Sequence, residues 1–269
     1  MQKDALLACD MDGTVIPLDT GEGRGREIRE FHRLLAKHGN IVVAYVTGRH
    51  LELGLAGAAQ YELPMPDIFV CDVGTSIHWG AAGNWVMDEE YRQELLRSWN
   101  GRTNGDIGAM LTTIPGLFVQ EAEKQGEFKR SYYASRDKDH REIVRLIHER
   151  LASKGVGAKV IYSVDAESNI GLVDVLPEIA AKDAALAYLC KKLGLEKDRI
   201  VYAGDSGNDM LAFVSGFNAI VVNNTPAAVK EEVRRQMQEK GIEERIFFAP
   251  SNYVQGVMAG CFHFKIFRP

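Results

Sequence analysis

The sequence predicts an α/β chain: a Rossmann-like, doubly wound parallel sheet interrupted by an inserted α+β unit. Three observations carry this. Apolar runs at residues 6–9, 41–46 and 67–72 have the composition of strands covered on both faces. Helical stretches alternate with those runs, as parallel strands require. The alternation lapses near Gly74 and resumes after Pro177.

In chain order, the first run is followed by a polar, glycine-rich loop over 17–25. A helix comes next, with Ile28, Phe31, Leu34 and Leu35 on one stripe, ended by Gly39-Asn40. The second strand ends in Thr47-Gly48-Arg49. A second helical stretch leads to the third strand. Residues 77–79 and 84–87 flank a small-residue turn and read as a hairpin. Two helical stretches separate around Asn100-Gly101. Strands are expected at 117–122 and 128–134, a charged helix at 137–153 with Ile143, Ile147 and Leu151 inward, and strands at 159–163 and 169–176. The α/β pattern then returns with a helix at 180–193, strands at 200–204 and 219–222, and a helix at 226–240 opened by Thr225-Pro226. A short strand at 246–248 and a helix at 253–262 close the chain. The expected division is a core of 1–84 plus 174–269 and an inserted domain of 85–173.

The chain has 269 residues, enough for one large or two modest domains. Its net charge of −5, with no block of Lys or Arg, argues against nucleic acid as a general partner. Cys9, Cys71, Cys190 and Cys261 form no C-x-x-C pair, which removes support for zinc or thioredoxin chemistry and points to reduced thiols in a cytoplasmic setting. No signal-peptide pattern stands at the start, and no apolar stretch approaches the ~20 residues of a membrane span.

The chemistry concentrates where strands end. The first strand runs into Asp10-Met11-Asp12-Gly13-Thr14. Two acids two positions apart point the same way if strand geometry persists. An apolar strand that delivers two carboxylates needs a cation or a proton to neutralise them. An ordinary loop start, or the opening of a calcium loop, fits the tripeptide equally well. Thr47, then Lys182, then Asp205 and Asp209 share the same address, the carboxyl end of a parallel sheet, where such folds bind ligands. Singly, each has a plainer reading. Thr47 could cap a helix, Lys182 could be a solvated charge, and Asp205 and Asp209 could be loop and cap residues. Arg49 is either a phosphate contact or an ordinary ion pair.

Together, Asp10-Met11-Asp12-Gly13-Thr14, Thr47, Lys182 and Gly204-Asp205-Ser206-Gly207-Asn208-Asp209 resemble the four motifs of the haloacid-dehalogenase-like phosphatase superfamily. The resemblance implies a phosphatase using Mg²⁺. It makes Asp10 the nucleophile and Asp12 the general acid and base. Asp10, the Asp12 carbonyl, Asp205 and Asp209 then surround the metal, while Thr47, Gly48, Lys182 and Asn208 grip the phosphoryl oxygens. Relatives usually carry Gly after the motif Lys; here Asp183 follows, either capping the helix or touching Lys182. The insertion resembles a C2-type cap. The stretches at 73–77, 128–133, 161–163 and 174–177 are similar to the sucrose-6-phosphate phosphatase family, which implies a disaccharide phosphate as substrate. Cap residues Lys129, Ser131, Tyr132 and Ser163 are candidates for sugar contacts. Trp79 and Trp85 are expected to pack the hinge, and His140 and His148 to face solvent. The alternatives are a phosphomannomutase-like mutase, or a non-catalytic sugar-phosphate sensor or glycosyltransferase partner.

Overall fold

The computed structural model describes residues 3–18, 25–81, 83–135, 137–164 and 170–268. The first half of the larger sheet comes from β1 (Ala5–Cys9), β2 (Ile41–Val46) and β3 (Ile68–Cys71), linked by α1 (Gly25–Lys37) and α2 (Leu51–Gln60). Every residue of these three strands is buried. Alternate residues serve opposite cores. Leu6, Ala8, Val42 and Ala44 face one, and Leu7, Cys9, Val43 and Tyr45 the other. At ~1.5–3 kcal/mol per fully buried large aliphatic side chain, that double coverage is what fixes the strands in place.

The predicted hairpin forms as β4 (Ser76–Ala81) and β5 (Asn84–Met87), and it extends the same sheet antiparallel to β3. The chain then leaves through α3 (Glu89–Ser98) and α4 (Asn104–Leu111). It builds a second, four-stranded antiparallel sheet from β6 (Leu117–Val119), β7 (Arg130–Ala134), β8 (Ala158–Val164) and β9 (Gly171–Pro177), with α5 (His140–Ala152) on one face. The strand expected over 117–122 stops at Val119, and Ala122–Lys124 makes a 3₁₀ turn instead. Asn169, the expected start of β9, lies outside the described residues, as does most of the loop expected at 17–25.

The return runs through α6 (Lys182–Leu193), β10 (Ile200–Gly204), α7 (Met210–Phe213), β11 (Asn218–Val221), α8 (Ala227–Lys240), β12 (Ile246–Phe248) and α9 (Tyr253–His263). The large sheet has the order β12-β11-β10-β1-β2-β3-β4-β5, parallel from β12 through β3. The winding reverses direction at β1, so β10 and β2 flank it and their carboxyl ends sit side by side. That is the switch point at which such sheets hold ligands. One expectation fails locally. Pro226 is the N-cap of α8 rather than its first residue, and the buried Thr225 hydroxyl finds no partner among the described residues. No described helix is long and apolar enough to cross a membrane.

Candidate active site

The loop after β1 closes on itself: the N–H groups of Thr14, Val15 and Ile16 all donate to the Met11 carbonyl. Gly13 has φ +80°, and a Cβ there would lie 2.1 Å from Asp205 Oδ2, so only glycine fits. This brings the Asp10 and Asp205 strand ends together. The Thr14 hydroxyl, fully buried, donates to Asp205 Oδ1 at 3.2 Å.

Lys182 is the first residue of α6 and is buried at 1% exposure. It donates to Asp10 Oδ1 at 2.8 Å, Asp209 Oδ1 at 2.6 Å and Asn208 Oδ1 at 3.1 Å. Its placement against the helix dipole is explained by these acids rather than by solvent. One carboxylate oxygen from each of Asp10, Asp205 and Asp209 lies within 4.8 Å of the other two. Burial pushes the Asp10 carboxyl well above the usual carboxylate range; Lys182 opposes the shift, and Asp209 and Asp205 add to it. Burial, then Asp209, raises Asp205 to about 7. For Lys182, burial alone would lower the ammonium, but Asp10 and Asp209 more than reverse it and hold it above its ordinary range. If all three buried carboxylates ionise against the one contacting ammonium, two negative charges remain for protons or a cation to neutralise. An all-oxygen donor set with that surplus fits a hard divalent cation.

Asp12 sits outside this cluster, clamped by Arg49. The guanidinium Nε donates to Oδ2 at 2.8 Å and Nη2 to Oδ1 at 2.6 Å, a bidentate pair at the mouth of the site. Arg49 is therefore an ion-pair partner of Asp12 in this structure. Thr47 is buried, and its Oγ1 accepts from the Arg49 N–H at 3.1 Å, leaving its own proton to donate. Asn208 turns its side-chain carbonyl to Lys182 and Ser206, which leaves its amide nitrogen for another partner.

The second sheet reaches this site through two charge pairs. Lys129 is 4% exposed; its Nζ lies 3.0 Å from Asp72 Oδ1 and donates to the Gly48 carbonyl at 3.0 Å. Asp72 and Val73 both take left-handed backbone, with φ 52° and 61°, where the chain turns from β3 into β4. Lys159 on β8 pairs with Asp183 at 3.3 Å. Asp183 thus neither caps α6 nor touches Lys182; it ties the second sheet to the helix that carries Lys182. Ser131 donates to Asp174 Oδ1 at 2.5 Å on the face of β7 away from α4 and α5. Tyr132 points the other way and is buried with those helices, so it is not on the surface that carries Ser131. Trp85 packs edge-on against Phe69 and Trp79 donates to Asp88 at 2.8 Å, a packing role for both. His140 stacks on Tyr162, and His148 is exposed.

Sequence reasoning passed over Thr14 as a partner of Asp205, Asp72 as the partner of Lys129, and Tyr202, whose hydroxyl donates to Asp209 Oδ1 at 2.5 Å. A phenol inside the run Ile200-Val201-Tyr202-Ala203 was the one available signal, because a buried hydroxyl needs a partner.

Comparison with known proteins places the chain in a family. The sequence model of the sucrose-6F-phosphate phosphohydrolase family matches residues 3–265. The mannosylfructose-phosphate phosphatase of Agrobacterium fabrum is 30% identical over 267 residues, covering 99% of both chains. A putative HAD-like hydrolase of Nitrosococcus oceani is 33% identical over 271 residues, covering 98% of this chain and 72% of that one. The crystal structure of the Synechocystis sucrose-phosphatase, solved with sucrose and phosphate, superposes with a TM-score of 0.80 at 24% identity, covering 98% and 99% of the two chains. The chain belongs to the sucrose-6F-phosphate phosphohydrolase family and is a phosphatase of the haloacid-dehalogenase-like superfamily.

Proposed function

We propose that the chain hydrolyses a disaccharide phosphate, sucrose 6-phosphate or a near relative such as a mannosylfructose phosphate, through an aspartyl-phosphate on Asp10. The observation that carries this reading is the gathering of three buried acids, Asp10, Asp205 and Asp209, about one ammonium, Lys182, which leaves a surplus of negative charge once they ionise. A dianionic phosphate monoester cannot approach such a cluster until the surplus is neutralised. Mg²⁺, held by Asp10, the Asp12 carbonyl and Asp205 with Asp209 behind them, would neutralise the surplus and polarise the phosphoryl group.

In the first half-reaction, a carboxylate oxygen of Asp10 bonds to phosphorus as the bond to the sugar oxygen breaks. Asp12 gives its proton to that departing oxygen. In the second, Asp12 takes a proton from water, the water oxygen bonds to phosphorus, and Asp10 leaves as a carboxylate. Arg49 fixes where Asp12 points through its two clamp bonds. In this reading Lys182, Thr47, the Gly48 loop and Asn208 meet the phosphoryl oxygens.

We take the unit expected at 85–173 as a cap over the core expected at 1–84 and 174–269, with its edges moved to about 88 and 177 because β5 pairs within the large sheet and β9 within the second. What supports this is the second sheet, with Lys129 and Lys159 reaching from it to the loops around the cluster. The cap excludes water and reads the sugar.

The test is phosphate release from a panel of sugar phosphates, including sucrose 6-phosphate, with Mg²⁺ and with EDTA. Release that prefers a disaccharide phosphate and stops in EDTA is expected. An isomerised sugar phosphate without phosphate release would overturn the reading in favour of a mutase.

A further inference from the structure

Asp209 differs from its two neighbours in how fully its oxygens are used. Its Oδ2 accepts the N–H groups of Asp205 and Ser206, both at 3.0 Å. Its Oδ1 accepts Lys182 at 2.6 Å and the Tyr202 hydroxyl at 2.5 Å. Four donors meet a carboxylate with about four lone-pair sites, so none is left for a cation. Asp205, by contrast, accepts one side-chain donor, Thr14, and Asp10 one, Lys182. Asp10 and Asp205 are therefore the acids free to face a cation, and Asp209 is the anchor behind them.

Lys182 is equally full. Its three N–H bonds go to Asp10, Asp209 and Asn208, so reaching a phosphoryl oxygen means releasing one of them. How firmly Asp209 holds Lys182 then decides how readily the ammonium serves a phosphate. Tyr202 bears on that directly. It is fully buried in the middle of β10, its ring edge-on to Phe213 at 5.9 Å, and its hydroxyl withdraws charge from the same oxygen that binds Lys182.

We propose that Tyr202 is a positioning residue for the phosphatase reaction: by donating to Asp209 Oδ1 it keeps that carboxylate off the cation and frees Lys182 for the phosphoryl group. The proposal rests on the function proposed above. Removing the hydroxyl leaves Asp209 Oδ1 with a single donor, which binds Lys182 harder and draws it from the phosphate.

The test is calorimetric titration of the full chain with inorganic phosphate in Mg²⁺, comparing wild type, Tyr202→Phe, Asp209→Asn and the double variant, alongside kcat and thermal unfolding. Tyr202→Phe is expected to bind phosphate about tenfold more weakly and to lower kcat by a similar factor, as losing a bond to a charged group does. In the Asp209→Asn background the same change should alter phosphate affinity by less than about twofold, because the charge it acts through is gone. A Tyr202→Phe protein with a lower Tm but wild-type phosphate affinity and kcat would overturn the proposal, as would an equal loss in both backgrounds. Should Tyr202→Phe not fold, 3-fluorotyrosine at position 202 keeps ring and hydroxyl and strengthens the donation. Tighter phosphate binding is then expected, and unchanged binding overturns the proposal. A wild type that neither binds phosphate nor releases it from any sugar phosphate overturns the proposed function itself, and Tyr202's role with it. Wild-type turnover with an indifferent Tyr202→Phe overturns Tyr202's role alone.

Discussion

The strand-end cluster and the seam between the two sheets use the same residue types in opposite ways. In the cluster, Asp10, Asp205 and Asp209 face a single ammonium, with the Lys182, Asp10 and Asp209 side chains between 0% and 6% exposed. At the seam each contacting ion pair sets one ammonium against one carboxylate, and Asp174, raised by burial and near Lys129, is bonded by the neutral Ser131 hydroxyl. Lys129 meets Asp72 with side chains 5% and 13% exposed, and Lys159 meets Asp183 at 24% and 27%. A buried imbalance is costly to fold and persists only where something else supplies the missing charge. A balanced pair needs nothing further. Unbalanced charge marks the place for chemistry, and balanced charge marks a joint.

Substitutions should separate the two regions. The largest effect belongs to Asp10→Asn. Under the proposed mechanism kcat falls by at least about a thousandfold, because no nucleophile remains. The Tm measured in EDTA should not fall, because one of three crowded acids has been neutralised. Next comes Lys129→Met, which leaves Asp72 without its partner at a mostly buried position. A cost of roughly 2–3 kcal/mol is expected in denaturant unfolding, and adding Asp72→Asn should recover much of it. The cluster should also make stability depend on metal and pH together. Asp10 and Asp205 are raised in the folded state, so their protonated forms stabilise the metal-free fold at low pH, and that contribution is lost as pH rises, for Asp205 through about 7. Mg²⁺ competes with those protons, so its elevation of Tm should grow from pH 5 to pH 8; a constant increment would count against the cluster as the site. The smallest effect is expected from Asp183→Ala. Its pair with Lys159 is about a quarter exposed, so stability should change by less than about 1 kcal/mol and kcat by less than about twofold.

Much of the core was legible in the sequence. The runs that became β1, β2, β3 and β10 are apolar throughout because both faces are covered; β1, β2 and β10 stop at residues of the site and β3 at Asp72 of the seam. Gly13 could be read as a turn, although its reason, the close approach of Asp205, depends on a residue 192 positions away (205 − 13). The seam was not legible. Lys129, Lys159, Asp72 and Asp183 are residue types that normally face solvent, and their partners are set by how the second sheet sits against the first. Arg49 shows the boundary between the two cases. Its place after Thr47-Gly48 suggested a role near phosphate, but only the fold of the loop carrying Asp12 decides that the guanidinium takes that carboxylate.

The most direct test of this division is calorimetric titration of Mg²⁺ into the metal-stripped full chain, comparing wild type, Asp205→Asn from the cluster and Asp183→Ala from the seam. One ion per chain is expected for wild type and Asp183→Ala with similar affinity, and an affinity at least about tenfold weaker for Asp205→Asn. Wild-type binding by Asp205→Asn, or its loss in Asp183→Ala, would contradict the assignment of the uncompensated charge to the strand-end cluster.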